Sequence, residues 1–514
     1  MHRRTRNISQ KWLGSALLVL LSLHAFETLH ISSAQSVTFR NPESKPNIIY
    51  ILADDLGIGD IEPFGQEHTN TPYLTQMSRE GMKLMQHYSG STVCAPSRAA
   101  LMTGLHTGHA QIRGNFELGG YTDQDEFGQM PLHPGTQTIA TMLRAAKYRT
   151  ALIGKWGLGG PGSHGAPNKH GFDYFFGYLD QKQAHNHYPT HLWENQERYP
   201  LENAFLYPHQ PLPNDVDPYD GSSYEPFRRD DYAPARMTET ALQFISENHQ
   251  RPFFLYLAFA MPHAALQAPE QEMSSYSHFE ETPYTAERNY LPQLRPRAAR
   301  AAMISNIDRS VGRIFERLKD LGIDENTLVI FSSDNGPTAE GGGDMEFFNS
   351  NGQFRGYKRD LYEGGIRVPT LARWPGKIKP GSSSNHVSAF WDIMPTLAEL
   401  AGVEPPANDG ISFLPTLLAE DGQRIHKSLY WEFHNANGGK SQAVRFLDTH
   451  NTNWKAIRFH AGKNSEPTIE LYDLDKDPSE IHDLASGRPQ LVTEAEDIMD
   501  RARSRSFFDL WNFD

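Results

Sequence analysis

Four apolar stretches of this 514-residue chain are each followed by polar or charged side chains. The stretches occupy residues 47–53, 149–154, 252–260 and 327–333, and they read NIIYILA, RTALIG, PFFLYLAFA and TLVIFSS. Short runs of this kind predict buried parallel strands. In an open α/β sheet the ligand site lies beyond the carboxyl ends of the strands. Lys155, after the second stretch, and His263, after the third, are therefore candidates for chemistry.

Oxygen-bearing side chains follow the first and the fourth stretch. Asp54 and Asp55 come after the first, and Asp334 and Asn335 come after the fourth. Each of these residues alone is common in turns and at helix caps. Together, at two converging strand ends, they offer oxygen ligands without sulfur or imidazole. Such a ligand set suits calcium or magnesium, and the carboxamide favours calcium.

The only cysteine of the chain, Cys94, lies in the stretch TVCAPSRAALMTG, which spans residues 92–104. A lone cysteine excludes an intramolecular disulfide bond. It can be a small buried hydrophobic residue, or a thiolate nucleophile whose pKa is lowered by a neighbouring base. Neither alternative explains why Pro96 and Arg98 follow it at this spacing.

Residues 1–34 have the composition of a removable signal peptide. A basic start precedes the apolar run GSALLVLLSLHAF and the small-residue stretch ISSAQS. The apolar run is shorter than the roughly 20 residues that a membrane-spanning helix needs, although a single uncleaved anchor is the alternative. We therefore expect cleavage near Ala34 and export to the periplasm, the extracellular space or a lumenal equivalent, with no later membrane span.

The charge balance restricts the possible partners. The chain has 62 Asp and Glu residues against 48 Lys and Arg residues, and a formal net charge of −14. Nucleic-acid binding requires a basic face, so we expect no nucleic-acid partner. An anionic substrate remains compatible with this charge, because a few buried cations can form a local anion site.

Helical patterns lie between the four stretches, and strands that alternate with helices predict an α/β fold with a large, mostly parallel sheet and helices on both faces. The segment 71–88 is one such helical pattern, and the segment 157–235 is predicted to form long loops. After residue 424 short alternating segments predict a small antiparallel sheet with a closing helix. We therefore expect a main domain over 45–423 and an α+β subdomain over 424–514.

The stretch CAPSRAALMTG resembles the signature of the sulfatase family, Cys-x-Pro-Ser-Arg followed by Leu-x-Thr-Gly. Five further stretches resemble family motifs and follow in the family's order: PNIIYILADDLGIGD, GKWGLG, PFFLYLAFAMPH, SSDNGP and FRGYKRDLYEGGIRVP. The resemblance covers most of the chain after the signal peptide. It implies an alkaline-phosphatase-like fold and the hydrolysis of sulfate esters.

The resemblance also implies roles for individual residues. Cys94 would be oxidised to formylglycine by a formylglycine-generating enzyme, and Arg98 would hold the geminal diol of the modified residue. The calcium ligands would be Asp54, Asp55, Cys94, Asp334 and Asn335. Lys155, His263 and Lys358 would contact the sulfate, and His263 would donate a proton to the leaving alcohol.

One position departs from the family pattern. Gly157 stands in GKWGLG where family members usually carry a histidine, which is thought to help deprotonate the formylglycine hydroxyl. Imidazoles that could replace it come from the following loop: His164, His170, His185 and His187. That loop also contains aromatic and amide side chains. It either packs on itself or forms a wall for a sugar ring, in which case His185 is our first candidate for a substrate contact.

Three functions are therefore compatible with the sequence. The first is an exported sulfatase that acts on sulfated carbohydrate. The second is a phosphodiesterase or phosphonate hydrolase of the same fold, against which the histidine-free ligand set and the full CAPSR motif argue. The third is a catalytically impaired protein that binds sulfated glycans, which only Gly157 supports.

Overall fold

The computed structural model describes residues 45–286, 289–435, 439–460 and 466–513. The predicted signal peptide, residues 1–34, therefore lies outside the described residues. Within the described ranges, every helix is too short or too polar to span a membrane.

A ten-stranded mixed sheet forms the centre of the molecule. In chain order its strands are β1 (Asn47–Ala53), β2 (Met82–Tyr88), β3 (Arg149–Lys155), β4 (Tyr174–Tyr178), β5 (His191–Glu194), β6 (Glu197–Pro200), β7 (Phe253–Ala258), β8 (Thr327–Ser333), β9 (Leu371–Arg373) and β10 (Ser382–Ala389). Across the sheet their order is β10-β2-β9-β8-β1-β7-β3-β4-β5-β6. The four strands predicted from the sequence are neighbours in the middle of this sheet.

Helices cover both faces of the large sheet. The helices of the described residues are α1 (Pro72–Glu80), α2 (Cys94–Thr103), α3 (Ile139–Ala145), α4 (Ala233–Asn248), α5 (Glu270–Met273), α6 (Pro296–Asp320), α7 (Met345–Phe348), α8 (Glu363–Ile366), α9 (Ile393–Ala401), α10 (Leu414–Leu418) and α11 (Pro489–Arg501). The last of them, α11, packs on a second, smaller sheet instead.

Successive side chains of β1 point to opposite faces of the sheet. Ile49 and Ile51 belong to a core with α1, α4 and α6, whereas Ile48 and Leu52 belong to a core with α2, α3 and α9.

A second sheet of four antiparallel strands follows in the chain. Its strands are β11 (Ser428–His434), β12 (Lys440–Leu447), β13 (Asn453–His460) and β14 (Thr468–Asp473), paired in that order. Ala495 and Met499 of α11 pack on Val444 and Leu471 of this sheet. The small antiparallel sheet with a packed helix is thus confirmed, as is the large, mostly parallel sheet.

Two segments differ from the sequence-based expectation. The helix predicted over 71–88 ends at Glu80, and Met82–Tyr88 is strand β2. The reason lies at Gly81, where a Cβ atom would lie 2.1 Å from the carbonyl oxygen of Ala372 in β9. The backbones approach so closely here that the chain turns into the sheet. The segment 157–235 is also more regular than predicted, because β4, β5 and β6 extend the sheet edge there.

Candidate active site

The candidate site lies at the carboxyl ends of β8, β1, β7 and β3, which are adjacent and parallel. The register pairs Ala53 with Ser333 and places Ala258 beside both Leu52 and Gly154. The four strands therefore end at nearly the same level. The residues that follow them are brought together by the sheet itself, as parallel pairing requires.

Helix α2 brings the cysteine to these strand ends. Cys94 is the first residue of α2, and Arg98 lies one turn further on the same face. The Cys94 thiol donates to Oδ1 of Asp54 over 3.3 Å. Arg98 Nε donates to Oδ2 of Asp334 over 2.9 Å, and its Nη1 donates to the carbonyl oxygen of Lys155 over 2.9 Å. The spacing of four residues between Cys94 and Arg98 thus lets one helix contact three strand ends.

Two lysines from distant parts of the chain bond to the two carboxylates that follow β1. Lys155 Nζ donates to Oδ2 of Asp54 over 2.6 Å, and Lys358 Nζ donates to Oδ2 of Asp55 over 2.8 Å. Lys358 lies on the loop between α7 and α8. The backbone of this loop is fixed by two hydrogen bonds, from Lys358 N–H to the carbonyl oxygen of Pro337 and from the next N–H to that of Thr92.

His263 lies between Lys358 and Asp55. Its Nδ1 is 2.5 Å from the carbonyl oxygen of Ala264, so Nδ1 carries a proton and donates it. Nε2 is then free to accept from Lys358 Nζ over 3.1 Å, and it lies 3.5 Å from Oδ2 of Asp55. The ring is therefore held with Nε2 toward the cluster of lysines and carboxylates.

These residues form a closely packed group of charges away from solvent. Each of the nine predicted metal, catalytic and sulfate-contacting residues in this cluster is at most 3% exposed: Asp54, Asp55, Cys94, Arg98, Lys155, His263, Asp334, Asn335 and Lys358. Exclusion of water strengthens every charge interaction among them.

Burial and neighbouring charges set the pKa values of the site. Burial would raise the pKa of Asp54, but Lys155 and other cations hold it well below its usual range. Burial and the charge of Asp54 instead raise the pKa of Asp334 to about 7. Burial and the Asp54 carboxylate raise the pKa of the Cys94 thiol well above its usual value. The unmodified thiol is therefore not a thiolate nucleophile at neutral pH, which argues against plain thiol chemistry.

The same cluster contains a candidate metal site. Asp54, Asp55, Cys94 and His263 each place one potential ligand atom within 4.8 Å of the others. In addition, the amide oxygen of Asn335 is buried and has no hydrogen-bond partner among the described residues. A buried oxygen of this kind is costly unless it binds a cation or another donor. Cation binding therefore explains an atom that the protein alone leaves unsatisfied.

Comparison with known proteins decides the family. Residues 46–403 match the family described as Sulfatase, and residues 352–503 match the family described as N-sulphoglucosamine sulphohydrolase, C-terminal. The chain belongs to the sulfatase family. It is a sulfuric ester hydrolase with the alkaline-phosphatase-like fold, as the sequence motifs predicted.

Individual relatives cover most of this sulfatase. Steryl-sulfatase of Mus musculus is 31% identical over 541 residues, which cover 89% of this chain and 82% of that protein. N-acetylgalactosamine-6-sulfatase of Mus musculus is 33% identical over 430 residues, or 79% of this chain and 72% of the relative. A solved structure described as Ps i-CgsB in complex with k-i-k-neocarrahexaose is 26% identical, with a TM-score of 0.70 and coverage of 89% of this chain and 92% of that chain.

In this sulfatase a glutamine fills the space beside Gly157. A Cβ atom on residue 157 would lie 2.4 Å from Nε2 of Gln181, and the backbone φ of +78° favours glycine. Gln181 follows β4, the next strand after β3, and its Nε2 is buried without a partner among the described residues. Gln181 was not among the residues predicted from the sequence, because only imidazoles were expected to replace the family histidine.

The four candidate histidines of the sulfatase have different positions. His164 is exposed, and Nε2 of His170 donates to the carbonyl oxygen of His164 over 3.1 Å. His187 Nε2 donates to the carbonyl oxygen of His263 over 3.1 Å. His185 stacks on His263, with ring centroids 4.7 Å apart and an interplanar angle of 7°. Only His185 and His187 therefore contact a residue of the site.

Two further residues line this side of the sulfatase site. His209 bonds to His185, with 3.0 Å between His209 Nε2 and His185 Nδ1, and Tyr290 contacts the rings of both His185 and His263. Neither residue lies in a recognisable motif. Their positions depend on long loops, so the sequence carried no signal for them.

Proposed function

We propose that this protein is an exported sulfatase that removes sulfate from sulfated carbohydrate, through a formylglycine made from Cys94 and a bound calcium ion. The observation that carries the proposal is the convergence of Cys94 with carboxylates, three cations and His263 at one buried edge of the sheet. The signal-like residues 1–34 support export. A formylglycine-generating enzyme would modify Cys94 before the site closes around it.

The residues present fit a calcium ion and a modified Cys94. Asp54, Asp55, Asp334 and Asn335 would hold the ion together with residue 94, and the unpartnered amide oxygen of Asn335 is the atom that supports this most directly. Hard oxygen donors of this kind suit calcium. When present, the formylglycine supplies the attacking oxygen and the calcium ion offsets negative charge on the sulfate.

Three cations of the protein offset the repulsion between an anionic substrate and the carboxylates of the site. Arg98, Lys155 and Lys358 each bond to a carboxylate of the site. Burial lowers the pKa of Lys358, whereas the charge of Asp55 raises it. The pKa is raised well above its usual value on balance, so this lysine stays charged. Positive charges held in a dry site stabilise charge on the sulfate oxygens far more strongly than they would in water.

His263 is placed to protonate the leaving oxygen. Its Nδ1–H is committed to Ala264, so Nε2 is the atom that exchanges a proton with its surroundings. Lys358 Nζ donates a hydrogen bond to this Nε2 across 3.1 Å, so Nε2 must first take up a proton before it can donate one. A sugar alkoxide is a poor leaving group, and proton donation at this point contributes about 10²–10⁴ in rate.

The side of the site next to His263 supports a carbohydrate substrate. His185, His209 and Tyr290 form a wall of imidazole and phenol rings, of which His185 is partly exposed. Flat rings with polar edges suit a hydroxyl-rich sugar. The names of an N-acetylgalactosamine-6-sulfatase and of a structure with a bound neocarrahexaose agree with this substrate class.

We also propose that residues 45–423 form the catalytic domain and residues 424–514 a supporting subdomain. All of the proposed site residues precede residue 424. Trp431 of β11 donates from Nε1 to the carbonyl oxygen of Ser89 over 2.9 Å and belongs to the same buried cluster as Ala100 of α2. The small sheet thus supports the helix that carries Cys94.

The deciding experiment measures residue 94 and activity on the same sample. Protein from its native host, or from a host that installs formylglycine, is digested, and the peptide across residue 94 is weighed by mass spectrometry. We expect the mass of the aldehyde in place of the thiol, together with sulfate release from sulfated saccharides. A Cys94→Ala variant from the same host should release none.

Two outcomes would contradict the proposal. An active native sample with an intact Cys94 thiol would exclude the formylglycine. Full conversion without sulfate release from any sulfated saccharide or aryl sulfate would favour the glycan-binding alternative, for which Gly157 is the sequence argument.

A further inference from the structure

The ring of His185 has one hydrogen-bonded nitrogen and one without a partner among the described residues. Nδ1 lies 3.0 Å from Nε2 of His209, whereas Nε2 makes no hydrogen bond to another described residue. A ring that accepts a hydrogen bond at one nitrogen is neutral and carries a single N–H on the other nitrogen. The position of that proton decides whether Nε2 is a donor or an acceptor.

A backbone N–H fixes the position of the proton. The N–H of Tyr290 donates to Nδ1 of His209 over 3.4 Å, so Nδ1 of His209 carries no proton. The proton of neutral His209 is then on Nε2, which donates to Nδ1 of His185. The proton of His185 must consequently be on its own Nε2. The backbone hydrogen bond from Tyr290 thus determines the tautomer of His209 and, through it, the tautomer of His185.

We propose that His209 is a positioning residue that holds His185 with its proton on Nε2, so that His185 donates a hydrogen bond to an acceptor oxygen of the substrate beside the sulfated carbon. This inference rests on the proposed function for the identity of the acceptor. The donor N–H of His185 selects a saccharide that has a hydroxyl, ether or carboxylate oxygen beside the sulfated carbon.

The surroundings of His209 make this arrangement rigid. The rings of His209 and Tyr290 lie 5.2 Å apart. The hydroxyl of Tyr290 donates to Oε2 of Glu340 over 3.1 Å, and this carboxylate lies 3.5 Å from Nζ of Lys358. The segment that orients His209 is thus connected to the lysine of the site. His185 itself is stacked on His263, so its Nε2–H has a fixed direction relative to the proton donor.

Two substitutions of His209 separate the possible roles. His209→Gln keeps an N–H donor near the place of Nε2, whereas His209→Glu offers only acceptor oxygens and forces the proton of His185 onto Nδ1. Tyr207→Glu is the matched control, because its ring lies 5.9 Å from that of His209 and the variant adds a carboxylate nearby without replacing His209.

The first measurement is the tautomer of His185 in the full-length protein. Long-range ¹⁵N–¹H spectra of histidine-labelled protein report it, and loss of one signal in His185→Gln assigns the ring. We expect Nε2–H in the wild type, His209→Gln and Tyr207→Glu, and Nδ1–H in His209→Glu. An Nδ1–H form in the wild type, or no change in His209→Glu, would overturn the inference whether or not the protein releases sulfate.

The second measurement tests the contact with substrate. For N-acetylgalactosamine 6-sulfate we expect His209→Glu to raise KM about tenfold, as the loss of one hydrogen bond predicts, and His209→Gln to restore most of it. KM for 4-nitrophenyl sulfate, which has no sugar oxygens, should change less than about twofold. An unchanged KM for the saccharide in a variant with the inverted tautomer would overturn the contact. Failure of all variants and the wild type to release sulfate would instead count against the proposed function.

Discussion

At the scale of single residues, His263 meets two opposing requirements. A proton donor must be protonated when substrate is bound, yet burial and the charge of Lys358 lower the pKa of this histidine. An anionic sulfate ester placed between the two side chains would favour the protonated ring. The imidazole of His263 is therefore neutral at neutral pH, and bound substrate would favour its protonation.

The role of His263 as proton donor predicts a dependence on the leaving group. His263→Asn should lower kcat for a sugar sulfate by about 10²–10⁴, because general acid help is lost. For 4-nitrophenyl sulfate, whose leaving group needs little protonation, the loss should be much smaller. Steady-state kinetics on both substrates measure the difference. Equal losses on both would show that His263 acts on binding or on the metal site instead.

Gly157 predicts a stability effect that can be separated from catalysis. Gly157→Ala should lower the free energy of unfolding by about 1–3 kcal/mol, because φ is +78° and the new Cβ would overlap Gln181. Introduced into a Gln181→Ala background, the same change should cost less, since only the backbone strain remains. Denaturant unfolding of the four proteins measures this. Identical costs in both backgrounds would show that Gln181 moves aside freely.

At the scale of elements, a buried ion cluster joins the small sheet to helix α8. Lys455 of β13 lies 3.0 Å from Oε1 of Glu363 in α8 and 3.0 Å from Oε1 of Glu480. Glu480 Oε2 also accepts the backbone N–H of Glu363 over 2.6 Å. The three side chains are fully buried. Since α8 follows the loop that carries Lys358, the cluster connects the small sheet to the active site.

Removal of the central cation should be strongly destabilising. Lys455→Met removes the cation that the two buried glutamates share, and we expect a loss of about 3–5 kcal/mol in the free energy of unfolding. Glu363 keeps Tyr88 and Arg367 as partners, and Glu480 keeps the backbone N–H of Glu363. Lys476→Met is the matched control, because Lys476 is 80% exposed and bonds to Asp473 at the surface. The control should cost at most about 1 kcal/mol. Comparable losses in both variants would contradict a special role for the cluster.

The same cluster predicts a pH dependence of stability. Burial raises the pKa of Glu480 to about 7, helped by the charge of Glu363 and opposed by that of Lys455. A carboxyl group with a raised pKa binds its proton more tightly in the folded state. Its contribution to stability is therefore complete below its ordinary pKa and is lost as the pH rises to about 7.

Glu480→Gln should accordingly flatten the decline in unfolding free energy between weakly acidic and neutral pH. Chemical denaturation across this range measures it. Asp497→Asn, on the exposed surface of α11, is the control and should leave the slope unchanged. A wild-type slope in Glu480→Gln would assign the pH dependence to other groups.

At the scale of the whole molecule, the candidate metal site brings together segments that are distant in the chain. Asp54 and Asp334 follow adjacent strands, and helix α2 contacts the first through Cys94 and the second through Arg98. A cation bound here stabilises the folded state by mass action, because the unfolded chain has no such site. The proposed calcium ion is thus expected to support folding as well as chemistry.

Calcium removal should lower both the Tm and the activity. At a calcium concentration of 100 times Kd, the expected stabilisation is about 2.7 kcal/mol. Thermal unfolding after EGTA treatment, followed by readdition of calcium or magnesium, measures it, and calcium should restore more. In Asn335→Ala the response to calcium should be weaker. A Tm that is insensitive to calcium in the wild type would contradict the site.

The sequence by itself determined the strands at the centre of the fold and most residues of the candidate site. Asp54, Lys155 and Asp334 follow apolar runs, and parallel pairing necessarily brings such positions together. The family motifs contain the same residues. Their contacts could be predicted because they depend on short spacings along the chain and on strand pairing within a single sheet. Helix α2 adds Cys94 and Arg98 in the same way, since positions four residues apart share a helix face.

Only the tertiary structure decided the contacts between loops. The position of Gln181 over Gly157, the pairing of His185 with His209, and the strand at Met82–Tyr88 have no periodic signal in the sequence. In each case the outcome depends on how closely another part of the chain approaches. Local sequence preferences do not specify the distance between two such segments, because the packing of the whole domain sets it.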